Sequence, residues 1–452
     1  MRRPNIVMFL MDCVRPDHMS CYGYSVKTTP NIDNIAREAT LFENAITTSG
    51  WTLPTHASLF TGLYPSKHGA NWQHLFLDNK YPTMAEILQK KGYSTAGFSS
   101  VKFLSMRTGF GRGFECFVEN FSEKLRHRVN KYYLKYQFNK QLSTISLFAS
   151  RNSIQGKVTN WKVMDWLKKR RNTSKPLFLF IHYFDAHKPY RFNEYYNRLF
   201  LKRRDAIQKS KKLANYDWPQ ITLNMDDIDI DILNSLYDSK IFSIDMSVIE
   251  IINLLKRMNL YENSILIFMA DHGEIITRVL EHHFYLTDEV LRIPLILRYP
   301  DVFQAGTIRK DLVSIVDILP TILEIVGVES EKNIRHLQGI SLVEEFEGDR
   351  YVVAERARIN DPWLDKYPDL KKACSHLPFD CIQKAIRTKT HKLIWSSNGK
   401  EELYDLSSDP KEEFNRIHDC PKVAVKLRKV LFDIVGTDLK NDYEKTKEII
   451  AF

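Results

Sequence analysis

Three runs of consecutive apolar residues punctuate an otherwise mixed chain: NIVMFLM at 5–11, PLFLFIHYF at 176–184 and SILIFMA at 264–270. Apolar runs without polar alternation predict strands buried on both faces, as in the interior of a parallel sheet. Between them, TMAEILQKKG and SVIEIINLLKRMNL place apolar residues at helical spacing and predict helices that cover such a sheet. The pattern predicts an α/β fold: a large, mainly parallel mixed sheet sandwiched by helices. From about residue 345 the periodicity changes. RYVVAERA and KAIRTKTHKLIW read as strands of a small second sheet, followed by a helix around KVAVKLRKVLFDIV. We therefore expect a large domain over 1–344 and a small C-terminal α+β subdomain over 345–452. Two stretches rich in Lys, Arg and aromatics, about 119–175 and 191–226, are expected as insertions over the sheet edge. For any single Lys or Arg within them, a solvated surface is the simpler reading.

Length and charge narrow the picture. At 452 residues the chain exceeds the size at which one hydrophobic core usually stops growing, which agrees with a large and a small unit. The 44% hydrophobic and 27% charged content is that of a globular protein, and no apolar run approaches the roughly 18 residues needed to span a bilayer. Met1-Arg2-Arg3 runs directly into the first apolar strand without a cleavable leader pattern, so the expected location is cytoplasmic. Six cysteines without Cys-x-x-Cys spacing suit free thiols in a reducing compartment. A net charge of +10 points to an anionic partner without choosing among substrate, membrane surface and nucleic acid.

Each apolar run gives way to side chains that suggest chemistry. The first ends at Asp12, the second leads to Asp185 and His187, and the third to Asp271 and His272. In open α/β sheets ligands bind beyond the carboxyl ends of the strands, so these side chains are expected along one edge. Asp12, Asp271 and His272 offer carboxylate and imidazole ligands for a divalent cation. A strand-end Asp is often only a helix cap. Two such acids at the ends of buried strands, one followed by His, favour the cation.

Seven segments then resemble, in order, the signatures of the sulfatase family of the alkaline-phosphatase superfamily. They are PNIVMFLMDCVRPDHMSCYGY, TPNIDNIAREATLFENAITTSGWTLPTHASLFTGLYPSKHG, FIHYFDAHKPY, ADHGE, HHFYLTDEVLRIPLIL, VSIVDILPTILEIVGV and ELYDLSSDPKEEFN. The resemblance covers roughly 4–415 apart from the two insertions, and it implies a catalytic domain over 1–344. In that family the nucleophile opens a Cys/Ser-x-Pro-x-Arg motif and becomes formylglycine. Aligned on ASLFTG, Thr52 takes the nucleophile position, Pro54 the proline, and His56 stands where the arginine would be. Thr52 would open a helix whose unpaired N–H groups and dipole favour an anion, although such a residue can be no more than an N-cap.

The resemblance carries over other positions singly. Asp12 matches the first metal ligand, and Asp271 and His272 match the late pair, with the Thr52 hydroxyl completing the implied set. The second acidic ligand falls at Cys13, a soft donor poorly suited to calcium, which leaves one cation open among Ca, Mn and Zn. His187 matches a substrate-contacting histidine. His282, with His283 as the alternative, matches the histidine that holds the ester's oxygens or protonates the leaving group. The lysine that often precedes it is replaced by Glu281. Asp185 and His68 read as structural.

Threonine changes the implied chemistry. It has one hydroxyl and cannot become the aldehyde hydrate by which formylglycine expels sulfate, whereas a phosphorylated threonine can be hydrolysed. The expected function is metal-dependent cleavage of an anionic ester, a phosphate mono- or diester, through Thr52. The partner is a small-molecule, saccharide-linked or lipid-linked ester, with no nucleic acid expected. The alternatives are a sulfatase acting without formylglycine and an inactive binding protein on the same fold.

Overall fold

The computed structural model describes residues 3–120, 155–191, 193–201, 204–214, 226–276, 285–328, 336–346, 348–358 and 381–436. Its main sheet has eight strands in the order β4-β3-β5-β1-β6-β7-β2-β8. They are β1 Asn5–Met11, β2 Thr40–Ile46, β3 Ser94–Ser99, β4 Cys116–Glu119, β5 Leu177–Tyr183, β6 Ser264–Met269, β7 Arg292–Arg298 and β8 Thr307–Ser314. The three apolar runs are β1, β5 and β6, with β1 between the other two and parallel to both. β3 is parallel to β4 and β5, while β7 is antiparallel to β6 and makes the sheet mixed. Every residue of β1, β5 and β6 is buried, which is why their sequences carry no polar alternation. Phe9 of β1 stacks on Phe268, its register partner on β6, with ring centroids 4.8 Å apart.

The covering helices follow ordinary start signals. Thr83 and Glu86 close a reciprocal capping box before Met84–Lys90. Asp226 and Asp229 do the same for a 31-residue helix, Asp227–Arg257. The apolar periodicity marks only the second half of that helix. Its start, DIDIDIL, alternates acid and apolar residues as a strand would, yet Ile232, Leu233 and Leu236 are buried on one helical face. The KVTNWKVMDWLKK segment forms the helix Gln155–Lys169, which packs against β5 and the long helix. Trp166 meets Phe98 of β3 edge-on, at 6.4 Å between centroids. Within the second basic stretch lie the helices Glu194–Phe200 and Arg204–Leu213. Residues 121–154 and 215–225, which carry much of the two expected insertions, lie outside the described residues.

A four-stranded antiparallel sheet follows in the order β12-β11-β10-β9, with β9 Val352–Arg356, β10 Gln383–Arg387, β11 His391–Ser396 and β12 Glu401–Asp405. The helix Pro421–Val435 lays Leu427, Leu431 and Val435 against Val353, Ile386, Leu393 and Leu403 of this sheet. The chain divides into two compact units: 1–43, 82–282 and 293–309 in one, and 44–81, 283–292 and 310–452 in the other.

The second unit contains a fully buried ammonium. The Lys392 Nζ lies 2.9 Å from Asp288 Oδ1 and also pairs with Glu412, and Arg387 reaches Asp288 Oδ2 at 3.0 Å. Burial opposes the charge on Asp288, but Lys392 and Arg387 outweigh it and hold the carboxyl well below its usual range. Removing one partner strands the remaining charges, so Lys392→Met should lower unfolding free energy by about 3–5 kcal/mol, read by urea denaturation. The sign with pH follows from the depressed value in the fold. Stability from Asp288 is present above the ordinary carboxylate pKa and is lost as pH falls below about 4.

Candidate active site

The ends of β1 and β6 bring two carboxylates together by register. Leu10 pairs with Met269 across the parallel ladder, so Asp12 and Asp271, each two residues further on, come side by side. The ladder to β5 also continues one step beyond the strand, with the Asp12 amide donating to the Tyr183 carbonyl at 2.9 Å. Asp271 Oδ1 accepts the amides of Cys13 at 3.2 Å and His272 at 2.9 Å. His272 Nε2 stands 3.4 Å from Asp271 Oδ2, and its Nδ1 lies 2.9 Å from the Gly273 carbonyl. Cys13 Sγ lies 3.1 Å from Asp12 Oδ1 and 3.8 Å from His272 Nδ1. All four side chains are buried.

This group fits a cation. Asp12, Cys13 and His272 each offer a ligand atom within 4.8 Å of the others. Burial and the charge of Asp12 push the Asp271 carboxyl up to about 6, against the pull of His272 and His182. Burial also opposes the charge on Asp12, but the hydrogen bond from His182 and the positive influence of His182, His187 and His272 hold that carboxyl well below its usual range. Two carboxylates forced together out of water repel, and a positive ion between them removes the conflict.

His182 is absent from the sequence expectations. It sits inside β5, fully buried, with Nε2 3.0 Å from Asp12 Oδ2. Its only signal in the sequence is a histidine in the middle of an apolar run. It orients the carboxylate as partners of metal ligands commonly do. His187 is half-buried and stacked on Phe184 at 4.3 Å, with Nδ1 2.5 Å from the Lys188 carbonyl. Lys188, also passed over by the sequence reading, donates to the Ile275 carbonyl at 2.7 Å and lies 3.5 Å from the buried Glu274. Arg15 donates to the Glu274 carbonyl at 3.0 Å and forks onto Asp17. Asp185 accepts the Gly156 amide at 3.4 Å. His282 and His283 lie outside the described residues.

Thr52 and His56 belong to the other unit. Thr52 is the first residue of the helix Thr52–Thr61, whose N-cap is Trp51, with an extended backbone and no side-chain cap bond. The N-cap alternative for Thr52 is thereby corrected: the cap position is one residue earlier. All ten residues of this helix are buried, and Gly62 ends it in the left-handed region at φ 66°. The Thr52 hydroxyl takes part in no hydrogen bond among the described residues. His56 Nδ1 lies 2.7 Å from the Thr52 carbonyl one turn earlier. The segment before the helix is anchored by its own side chains: Thr48 donates to Ser58 at 2.7 Å and Ser49 to the Glu355 carbonyl at 2.8 Å. His68 lies 3.1 Å from the Ser58 hydroxyl, and burial pushes its imidazole down to about 3. No helix among the described residues is long and apolar enough to cross a membrane.

Residues 4–328 match the sulfatase family, and residues 280–435 match the C-terminal region described for N-sulphoglucosamine sulphohydrolase. The chain is 22% identical to an N-acetylglucosamine-6-O-sulfatase of Bacteroides thetaiotaomicron, covering 100% of this chain and 89% of that protein. It is 24% identical to arylsulfatase K of Homo sapiens, covering 96% and 83%. Its fold is similar to that of a phosphonate monoester hydrolase of Agrobacterium radiobacter, with a TM-score of 0.72, 20% identity and 96% and 95% of the two chains covered. With its mixed sheet, its small C-terminal sheet and the paired aspartates at the ends of β1 and β6, the chain belongs to the sulfatase family of ester hydrolases.

Proposed function

We propose that the protein hydrolyses a phosphate mono- or diester, with Thr52 as the nucleophile. The observation that carries this reading is a threonine, free of any cap bond, as the first residue of a buried helix; the alignment on ASLFTG is what assigns it the nucleophile's role. Asp12, Asp271, His272 and the Thr52 hydroxyl would hold one divalent cation. When bound, that cation supplies positive charge to the ester's oxygens and lowers the pKa of a neighbouring hydroxyl. Thr52 Oγ1 gives up its proton to solvent and attacks phosphorus in line, and the leaving oxygen departs on the opposite side. The amides of the first helical turn, Thr52 and Leu53, donate toward the transferring oxygens. His187 and His282 hold those oxygens, and one of them gives a proton to the leaving group. Water then cleaves the phosphothreonine and frees the hydroxyl.

The preference for phosphorus over sulfur rests on release. A sulfated threonine lacks the second hydroxyl through which a formylglycine hydrate eliminates sulfate. The leaving group belongs to the saccharide or other small-molecule class, in line with the glucosamine sulfatase to which the chain is similar. A second reading, a sulfatase that works without formylglycine, is favoured by the sulfatase names of relatives matched over nearly the whole chain. A screen of the metal-reconstituted protein on aryl phosphate, phosphodiester, phosphonate and sulfate esters separates the two. We expect the highest kcat/KM on a phosphate ester. Turnover of sulfate esters alone would establish the second reading, and binding without turnover of any ester would leave a binding protein.

A further inference from the structure

We propose that the Cys13 thiolate is a direct ligand of the cation, and that this donor makes the site selective for zinc over calcium and manganese. The inference rests on reading Asp12, Asp271 and His272 as the metal centre.

Position is the first support. Two donors on one tetrahedral zinc, a sulfur at about 2.3 Å and an oxygen at about 2.0 Å, stand about 3.5 Å apart. Cys13 Sγ and Asp12 Oδ1 are already 3.1 Å apart. The wider spread of the three-donor group, up to 4.8 Å, closes with about an ångström of side-chain motion. His272 presents Nε2 to Asp271, 3.4 Å from its Oδ2. With Nδ1–H donating to the Gly273 carbonyl at 2.9 Å, the lone pair lies on Nε2, the arrangement usual for a metal-bound imidazole.

The backbone is the second support. Cys13 adopts φ 62°, a left-handed conformation uncommon for a residue with a side chain. It is held there from both sides: its amide donates to Asp271 Oδ1 at 3.2 Å, and its carbonyl accepts the Tyr237 hydroxyl at 2.6 Å. Strain of this kind persists only where the surrounding structure over-determines the conformation, and it clusters at functional sites. Here that conformation sets the sulfur 3.1 Å from Asp12 Oδ1 and 3.8 Å from the His272 ring, a carboxylate and an imidazole that would share a cation with it.

Donor chemistry is the third. Calcium takes six to eight oxygen ligands, whereas Asp12, Cys13, Asp271 and His272 offer a mixed set of sulfur, nitrogen and oxygen suited to zinc, which can expand to take the Thr52 hydroxyl as a fifth donor. As the bond to sulfur forms, the thiol proton passes to solvent.

The test loads the metal-stripped full chain with one equivalent of cobalt(II), a spectroscopic stand-in for zinc. We expect an intense near-ultraviolet thiolate-to-cobalt band that is lost in Cys13→Ser, while the weaker visible ligand-field bands persist. Zinc should outcompete manganese by at least 100-fold in the wild type. Cys13→Asp, which supplies a hard oxygen and tolerates the left-handed backbone, should narrow that preference at least tenfold. Cobalt bound without the thiolate band, or a band that survives Cys13→Ser, would overturn the role of Cys13 and leave the metal centre standing. No stoichiometric binding of cobalt or zinc would overturn the centre itself, and the proposal with it.

Discussion

Thr52→Ala should abolish turnover, lowering kcat by at least about 10³-fold, while the protein stays folded. The fold is expected to tolerate the change because the Thr52 hydroxyl supports no hydrogen bond among the described residues and Trp51 holds the N-cap position. Thermal unfolding should therefore shift little, by less than the ~1 kcal/mol that a genuine cap contributes. Thr52→Ser keeps a primary hydroxyl at the same place and should retain substantial activity. Rapid quench with a phosphate ester should trap phosphate on Thr52 in the wild type and on no residue in Thr52→Ala. Full activity in the alanine variant would assign the attack to water and remove the covalent step.

The second large effect concerns the metal. Asp12→Asn removes one negative charge from the buried pair at the ends of β1 and β6 and should cut cation affinity severely, with turnover falling in parallel. The measurement is metal content per chain after dialysis against a fixed free-ion concentration. Two effects should keep the metal-free variant folded. The amide oxygen can still accept from His182, whose Nε2 is 3.0 Å from Asp12 Oδ2. Burial and the charge of Asp12 push Asp271 up to about 6, and the second of these causes is removed. His182→Ala should act more gently, reducing affinity about 10–100-fold, because it orients the carboxylate without touching the ion. Equal losses in the two variants would mean that His182 is itself a ligand.

Much of this was legible in one dimension. Strands β1, β5 and β6 could be read because a strand with neighbours and helices on all sides must be apolar at every position. The acids at their ends were visible because they break those runs abruptly. The four-stranded sheet and its helix were legible from a change of period near residue 345.

Other features depend on distance between chain-remote residues, which no local pattern carries. The first half of the helix Asp227–Arg257 alternates like a strand, and burial against the sheet's other helices, not periodicity, makes it helical. That Asp12 lies beside Asp271 follows from the register of β1 on β6, a choice made between segments more than 250 residues apart. His182 reads as one polar residue in an apolar strand, and only the pairing of β5 with β1 gives it Asp12 as a partner. Cys13 likewise reads as a missing acid. The left-handed backbone held by Asp271 and Tyr237 sets its sulfur beside Asp12 and His272, so composition and spacing determined which donors exist and tertiary packing decided which of them meet.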